Sequence, residues 1–330
     1  MVSNRLKADA RVHMKQNPGT SYQHALRAVT GGPPQDWGRS GRELIDGIIG
    51  QDEVKERLRW VLSVEAMDAE RRRRGLIGSA VIRKQHFIIT GEHGTGKSYV
   101  ARVLARLLQS AGGGEADSVV VVGRHDLVGT SLGGTERKTA AVFDKARGGV
   151  LIVEDGHDLV QHPGRFGREA LCALAELARN DRTSSAQGGP VVVLVGYSHP
   201  LRQFVEHQVL AGIFELHIEV ATPSAKDLWT FLGRCAEGRG FTVDADVEAP
   251  FVALVEKLQK QFGLAGSALD RLGNLWFVTG LVDRASGLPA NRLAGVEDLS
   301  SLTDEELFRL TVDDVVAAAR MVMSSAGLMV

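Results

Sequence analysis

The run Gly91-Glu92-His93-Gly94-Thr95-Gly96-Lys97-Ser98 fits the spacing G-x-x-x-x-G-K-[ST]. Glycines at these positions let the backbone curl tightly enough to aim several N–H groups at one anion. Lys97 adds a cation for β- and γ-phosphate oxygens, and the Ser98 hydroxyl is placed to ligate Mg2+. The implied chemistry is capture of a nucleoside triphosphate by Gly91, Glu92, His93, Gly94, Thr95, Gly96, Lys97, Ser98 and the adjoining Tyr99. His93 fills a variable position and is given no chemistry of its own. Such a site needs an acidic anchor for the metal at the tip of a neighbouring strand. Glu154 and Asp155 follow the apolar run Val150-Leu151-Ile152-Val153 and supply one. Glu154 reads as the metal-side acid beside Ser98, and Asp155 as the group that orients or polarises the attacking water. Lys97, Glu154 and Asp155 are the candidate catalytic set.

A phosphate loop works only between a strand that aims it and a helix whose N-terminus faces the anion. The buried-strand run His86–Thr90 precedes the loop, and Tyr99, Val100 and Leu104 open a helix after it. Similar runs at Ser118–Val122, Val150–Val153, Val191–Val195 and Leu216–Val220 alternate with helical periodicity, which predicts a five-stranded parallel sheet covered on both faces. The Ser-, Thr- and Gly-rich stretch Asp181–Pro190 reads as a surface connection. Beyond Pro223 no strand signal recurs. Helices are expected at Ala225–Glu237, Val247–Gln261 and Ser267–Ala285, with a last one capped by Thr311 and Asp314. At the other end, Asn17-Pro18-Gly19 divides two short helices, the second with Tyr22, Ala25, Leu26 and Val29 on one face. The expected units are an N-terminal helical hairpin at 1–31, a linker at 32–43, an α/β core at 44–222 and a helical segment at 223–330. The hairpin either docks on another protein or folds back on its own domain.

Composition narrows the partners. In 330 residues, 39 basic side chains against 40 acidic ones leave a net charge of -1, which argues against a polyanion binder driven by bulk charge. Trp37, Trp60, Trp229 and Trp276 are too dispersed for a base-stacking platform and read as packing residues, so nucleic acid is not the expected partner. The two cysteines, Cys172 and Cys235, lie in apolar helical settings and read as buried thiols in a reducing compartment. No stretch approaches the roughly 18 apolar residues of a membrane span, and the opening residues carry charge at once. The expectation is a cytoplasmic protein without membrane insertion. Arg71–Arg74 read as the solvated end of a helix that begins near Asp52, and His157 with Asp158 lacks the ligand spacing of a metal site.

Taken in order, these motifs resemble the AAA+ ATPases, and within them the CbxX/CfqX–SpoVK group that includes red-type rubisco activases and the cytosolic ATPase of type VII secretion. The likeness runs from about Leu44 to the end of the chain. Ile48-Ile49-Gly50-Gln51 resembles the family's box ahead of the core, which implies adenine contacts for Ile48 and Ile49. Gly148–Leu159 resembles the strand with the second acidic motif, Phe166–Leu171 the helix after it, and Val193-Leu194-Val195-Gly196-Tyr197 the sensor strand. Leu299–Leu307 resembles the tail of the secretion-type members. The resemblance implies an AAA+ core with an α-helical lid, ATP and Mg2+ as cofactors, a ring of like or related subunits, and remodelling of a protein client.

Four departures from the family pattern bear on turnover. The acids appear as Glu154 then Asp155, the reverse of the family order, and Asp155 is one methylene shorter than the usual catalytic acid. The segment that carries the arginine finger reads Leu210-Ala211-Gly212-Ile213-Phe214, without a basic side chain, and such a finger contributes on the order of 10³ or more in rate. The lid motif reads Phe262-Gly263-Leu264-Ala265-Gly266, with Gly266 at the sensor-arginine position. Arg271, five residues on, is turned by about 140° and faces elsewhere. The pore-loop segment Val128–Gly133 has Ser131 where an aromatic grips the translocated chain. The expected function is an ATP-binding AAA+ subunit with weakened hydrolysis that couples nucleotide state to assembly or remodelling. The alternative is an ATP-stabilised scaffold or regulatory subunit.

Overall fold

The computed structural model describes residues 40–76, 85–110, 119–131, 133–161, 166–183, 188–205, 212–263, 266–296, 298 and 301–328. The expected N-terminal hairpin, and nearly all of the linker before the core, lie outside these residues. Ser40 and Glu43 form a reciprocal capping box that starts α1 (Gly41–Asp46), and α2 (Asp52–Arg73) follows. At the end of α2, Arg71 pairs with Asp68, and Arg73 and Arg74 both pair with Glu70, so three cations of the basic run share two local carboxylates.

The α/β core contains β1 (Phe87–Gly91), α3 (Lys97–Ser110), β2 (Val119–Val122), the short α4 (Arg124–Leu127), α5 (Gly134–Lys145), β3 (Val150–Val153), α6 (His157–Gln161), α7 (Phe166–Thr183), β4 (Val191–Gly196), α8 (Ser198–Val205) and β5 (Leu216–Val220). The five strands form one parallel sheet in the order β2-β3-β4-β1-β5. β1 therefore lies inside the sheet, between β4 and β5. Strand periodicity sorts the side chains onto two faces. Phe87, Ile89, Ile152, Val193 and Ile218 pack with Leu58, Val61, Val100 and Leu104 of α2 and α3. Ile88, Leu151, Val153, Val192 and Leu194 pack with Leu127, Phe143, Leu171 and Leu174 on the other side. The expected parallel sheet is thus present, with each strand within one residue of its expected bounds. α7 runs to Thr183, beyond the expected loop start at Asp181.

A second apolar core forms the lid from α9 (Ala225–Glu237), β6 (Thr242–Val243), α10 (Glu248–Lys260), β7 (Phe262–Gly263), β8 (Gly266–Ser267), α11 (Ala268–Leu272), α12 (Leu275–Ala285), α13 (Pro289–Arg292), α14 (Asp304–Leu307), β9 (Arg309–Leu310) and α15 (Val312–Ser325). Leu228, Leu232, Phe251, Val255, Phe277, Leu281, Val315 and Ala318 meet at its centre. Two expectations are corrected here. The region is not free of strands: β6 pairs with β9 in parallel, and β7 with β8 as a minimal antiparallel hairpin. The helix expected over Ser267–Ala285 is two helices, because Gly273 at φ 82° and Asn274 at φ 47° leave the helical region between them. The Thr311–Asp314 box caps α15 as expected.

Candidate nucleotide-binding site

Three chain segments converge at the tip of β1. The loop leaves the strand at Gly91 and enters α3 at Lys97, as its spacing requires. Thr95 Oγ1 donates to the Glu92 carbonyl at 3.0 Å, and Lys97 Nζ donates to the same carbonyl at 2.5 Å. Nζ also lies 5.0 Å from the centre of the Tyr197 ring, directly after β4. A lysine held by one carbonyl and one ring face is prepositioned inside the loop. A phosphate would take over as its counter-ion.

Alternation along β3 fixes the first acid. Val150 and Ile152 face α3, so Glu154, two residues on, continues on that side while its N–H still donates to the Val122 carbonyl. Glu154 is 6% exposed, and its carboxylate lies 3.6 Å from the Arg102 guanidinium, with Oε1 lacking a hydrogen-bond donor. Ser98 is one helical turn before Arg102 and shares its face of α3. Asp155 then adopts φ 50°, a left-handed conformation that Asp tolerates better than most residues, and its carbonyl accepts from the Asp158 N–H at the start of α6. The donor set, a serine hydroxyl with a buried carboxylate short of hydrogen bonds, is the hard oxygen type that suits Mg2+. Arg102, which sequence reasoning passed over, neutralises part of that carboxylate. Among the described residues no cluster of three or more His, Cys, Asp or Glu side chains has metal-binding geometry. His157 packs against Tyr197, with ring centres 3.9 Å apart and planes tilted by 37°.

The box ahead of the core packs onto the α/β core. Ile48 is buried in the core against α1 and α3, Ile49 is half-buried, and the Tyr99 hydroxyl comes within 3.6 Å of where a side chain on Gly47 would begin. Gln51 locks this turn to the end of β5 with two hydrogen bonds to one residue, Nε2 to the Ala221 carbonyl at 2.7 Å and Oε1 from its N–H at 3.0 Å. Arg234 of α9 reaches the Gly47 carbonyl at 2.7 Å. The lid thus grips the box from its own first helix.

A second lid contact was not foreseen. The turn between α11 and α12 rests on the phosphate loop: the Leu275 N–H donates to the Gly94 carbonyl at 3.1 Å, and Asn274 Nδ2 donates to the His93 carbonyl at 2.8 Å. The His93 ring stacks on Trp276, with centres 6.4 Å apart and planes 23° apart. A side chain at Gly94 would overlap the Gly273 carbonyl oxygen and lie 2.7 Å from the Trp276 indole, so only glycine allows this approach. Trp276 is therefore a loop contact, where the sequence reading gave it only a packing role. A Gly-Asn pair is a turn signal that could have revealed the break.

The departures are located as follows. Ile213 and Phe214, in the segment that would carry an arginine finger, are buried in the core on the far face of the sheet. Leu210 and Ala211 lie outside the described residues. Gly266 sits in the β7–β8 hairpin, and the Arg271 guanidinium is beside Gly263 of the same hairpin. Ser131 is exposed.

Residues 87–222 match the model of the ATPase family associated with various cellular activities (AAA). The chain is 32% identical over 293 residues to the ESX-3 secretion system protein EccA3 of Mycobacterium tuberculosis (strain ATCC 25618 / H37Rv), a match covering 86% of this chain and 45% of that protein. It is 30% identical over 292 residues to the ESX-1 secretion system protein EccA1 of the same strain, covering 84% of this chain and 50% of that one. The chain spans about half the length of these relatives. The crystal structure of the FIGL-1 AAA domain is similar in fold, with a TM-score of 0.50 at 13% identity over 87% of this chain and 93% of that one. Among the described residues no helix is long and apolar enough to cross a membrane. Residues 87–222 are an AAA ATPase domain, the kind of domain that the sequence motifs resemble.

Proposed function

We propose that the chain binds Mg-ATP at the tip of β1 and uses nucleotide state to set how the core and lid are arranged, and through them a protein partner. The observation that carries this reading is the phosphate loop with Lys97 poised inside it and the lid turn seated on its outer edge. In this reading the N–H groups of 91–98 and the α3 N-terminus take the β- and γ-phosphates, and Lys97 transfers from the Glu92 carbonyl to phosphate oxygen. Ser98 and Glu154 hold Mg2+, which when bound neutralises charge on the transferring phosphoryl group. Ile48 and Ile49 provide an apolar wall for the base, and Asp155 orients water. Two relatives are secretion system proteins, which supports a protein client over nucleic acid. Assembly with copies of itself or a related subunit would supply the arginine that the Leu210–Phe214 segment lacks.

Calorimetry with Mg-ATP tests the site: Lys97→Ala abolishes binding, and unchanged affinity refutes the assignment. Steady-state hydrolysis, with Lys97→Ala as blank and the double exchange Glu154→Asp, Asp155→Glu as a repaired control, separates an enzyme from a scaffold. The Arg102 contact to Glu154 favours slow turnover, because metal ligation competes with that ion pair. ATP binding without turnover in both proteins would establish the scaffold reading.

A further inference from the structure

We propose that Asn274 is a positioning residue that transmits occupancy of the phosphate loop to the lid, through the loop's outer edge and without an arginine at the sensor position. This rests on the nucleotide reading above. Asn274 is fully buried at the junction of α11 and α12. Its carboxamide nitrogen donates in two directions, to the His93 carbonyl at 2.8 Å and to Asp270 Oδ1 at 3.1 Å. Its oxygen has no donor. Two acceptors leave the amide only one orientation.

The backbone at Asn274, φ 47° and ψ -105°, is one that few non-glycine residues adopt, and such conformations persist where the surroundings over-determine them. A turn selected for stability alone would place glycine there. The amide is what glycine cannot supply. Asp270 in turn closes the capping box of α11 with Ser267 and accepts from Thr222 in the connection leaving β5. One side chain therefore joins the loop carbonyl that precedes Gly94, the start of α11 and the core-to-lid connection. Phosphate binding inside the loop reorients the peptides of residues 92–95, and the His93 carbonyl belongs to one of them. Moving that carbonyl pulls on the α11–α12 turn, whereas Gly266 and the hairpin-bound Arg271 offer no cation for a direct phosphate contact.

The test is amide hydrogen exchange on the full chain with and without saturating Mg-ATP, with binding followed separately by calorimetry. Asn274→Gly tolerates the positive φ and removes only the amide. Asn274→Asp keeps the shape and presents an acceptor where both neighbours require a donor. In the native chain, ATP slows exchange in the loop and, by about tenfold, over residues 268–285. In both variants the loop is still protected by ATP while protection over 268–285 falls to less than about twofold. Retained lid protection in the glycine and aspartate variants overturns the proposal, as does a native lid that ignores bound ATP. A native chain that fails to bind ATP in calorimetry removes the nucleotide reading itself, and this inference with it.

Discussion

Gly94→Ala measures how firmly the lid rests on the phosphate loop. Gly94 has φ +68°, where an alanine costs about 1 kcal/mol of backbone strain. The added methyl would also lie 2.6 Å from the Gly273 carbonyl carbon, which is backbone and cannot rotate aside. The turn must retreat, and two hydrogen bonds go with it, Leu275 N–H to Gly94 and Asn274 to His93. At about 1 kcal/mol net for each, the variant should lose about 3 kcal/mol in all. Gly133→Ala isolates the strain: its φ is +67° and nothing lies within 4 Å of the new methyl, so it should lose about 1 kcal/mol. Urea unfolding of both proteins without nucleotide, followed by circular dichroism, reads the gap of about 2 kcal/mol. A gap below about 0.5 kcal/mol would mean that the lid does not bear on the loop, and the reasoning fails.

Arg102→Met leaves the buried Glu154 carboxylate without its counter-charge; thermal denaturation should show a loss of about 2 kcal/mol, largely restored in Arg102→Lys. Burial pushes the Cys235 thiol above its ordinary range, so the native state holds that proton to higher pH than the unfolded chain does. The resulting stability is present below the unfolded value of about 8.5 and is lost as pH rises through the folded one; Cys235→Ala should flatten that alkaline decline in urea titrations. Thr311→Ala removes the cap of α15, whose Val315, Ala318 and Val322 line the lid core, and should cost about 1 kcal/mol by the same assay.

Strand positions were legible because the central strands β1, β3 and β4 are buried on both faces and so read as mainly apolar runs, as in Val191–Val195. The phosphate loop was legible because its chemistry is local in sequence. What escaped depends on contacts between distant segments. Two-residue strands such as β6 and β9 carry no periodicity of their own. The apolar pattern of Leu269, Leu272, Leu275 and Phe277 continues across the break at Gly273-Asn274, because both helices face the same lid core. Arg102 carries no local signal of its partner, because only alternation along β3 brings Glu154 beside it. The geometry of the reversed acids was hidden for a related reason: the left-handed turn at Asp155 sets where each one points, and composition does not encode it.

The pairing of Gln51 with Ala221 joins residues 170 positions apart, and β1 meets β5 only when the chain has reached Val220. At ordinary rates of synthesis, about 10–30 s separate the emergence of those two partners from the ribosome. From its own emergence the Phe87–Gly91 strand has both edges uncovered until β4 is made and one uncovered until β5 follows, and all that time the box before the core has nothing to close on. The order of manufacture makes β1 a sticky intermediate, so ribosome-bound chains halted before Leu216 should recruit chaperones that chains extended past Thr222 release.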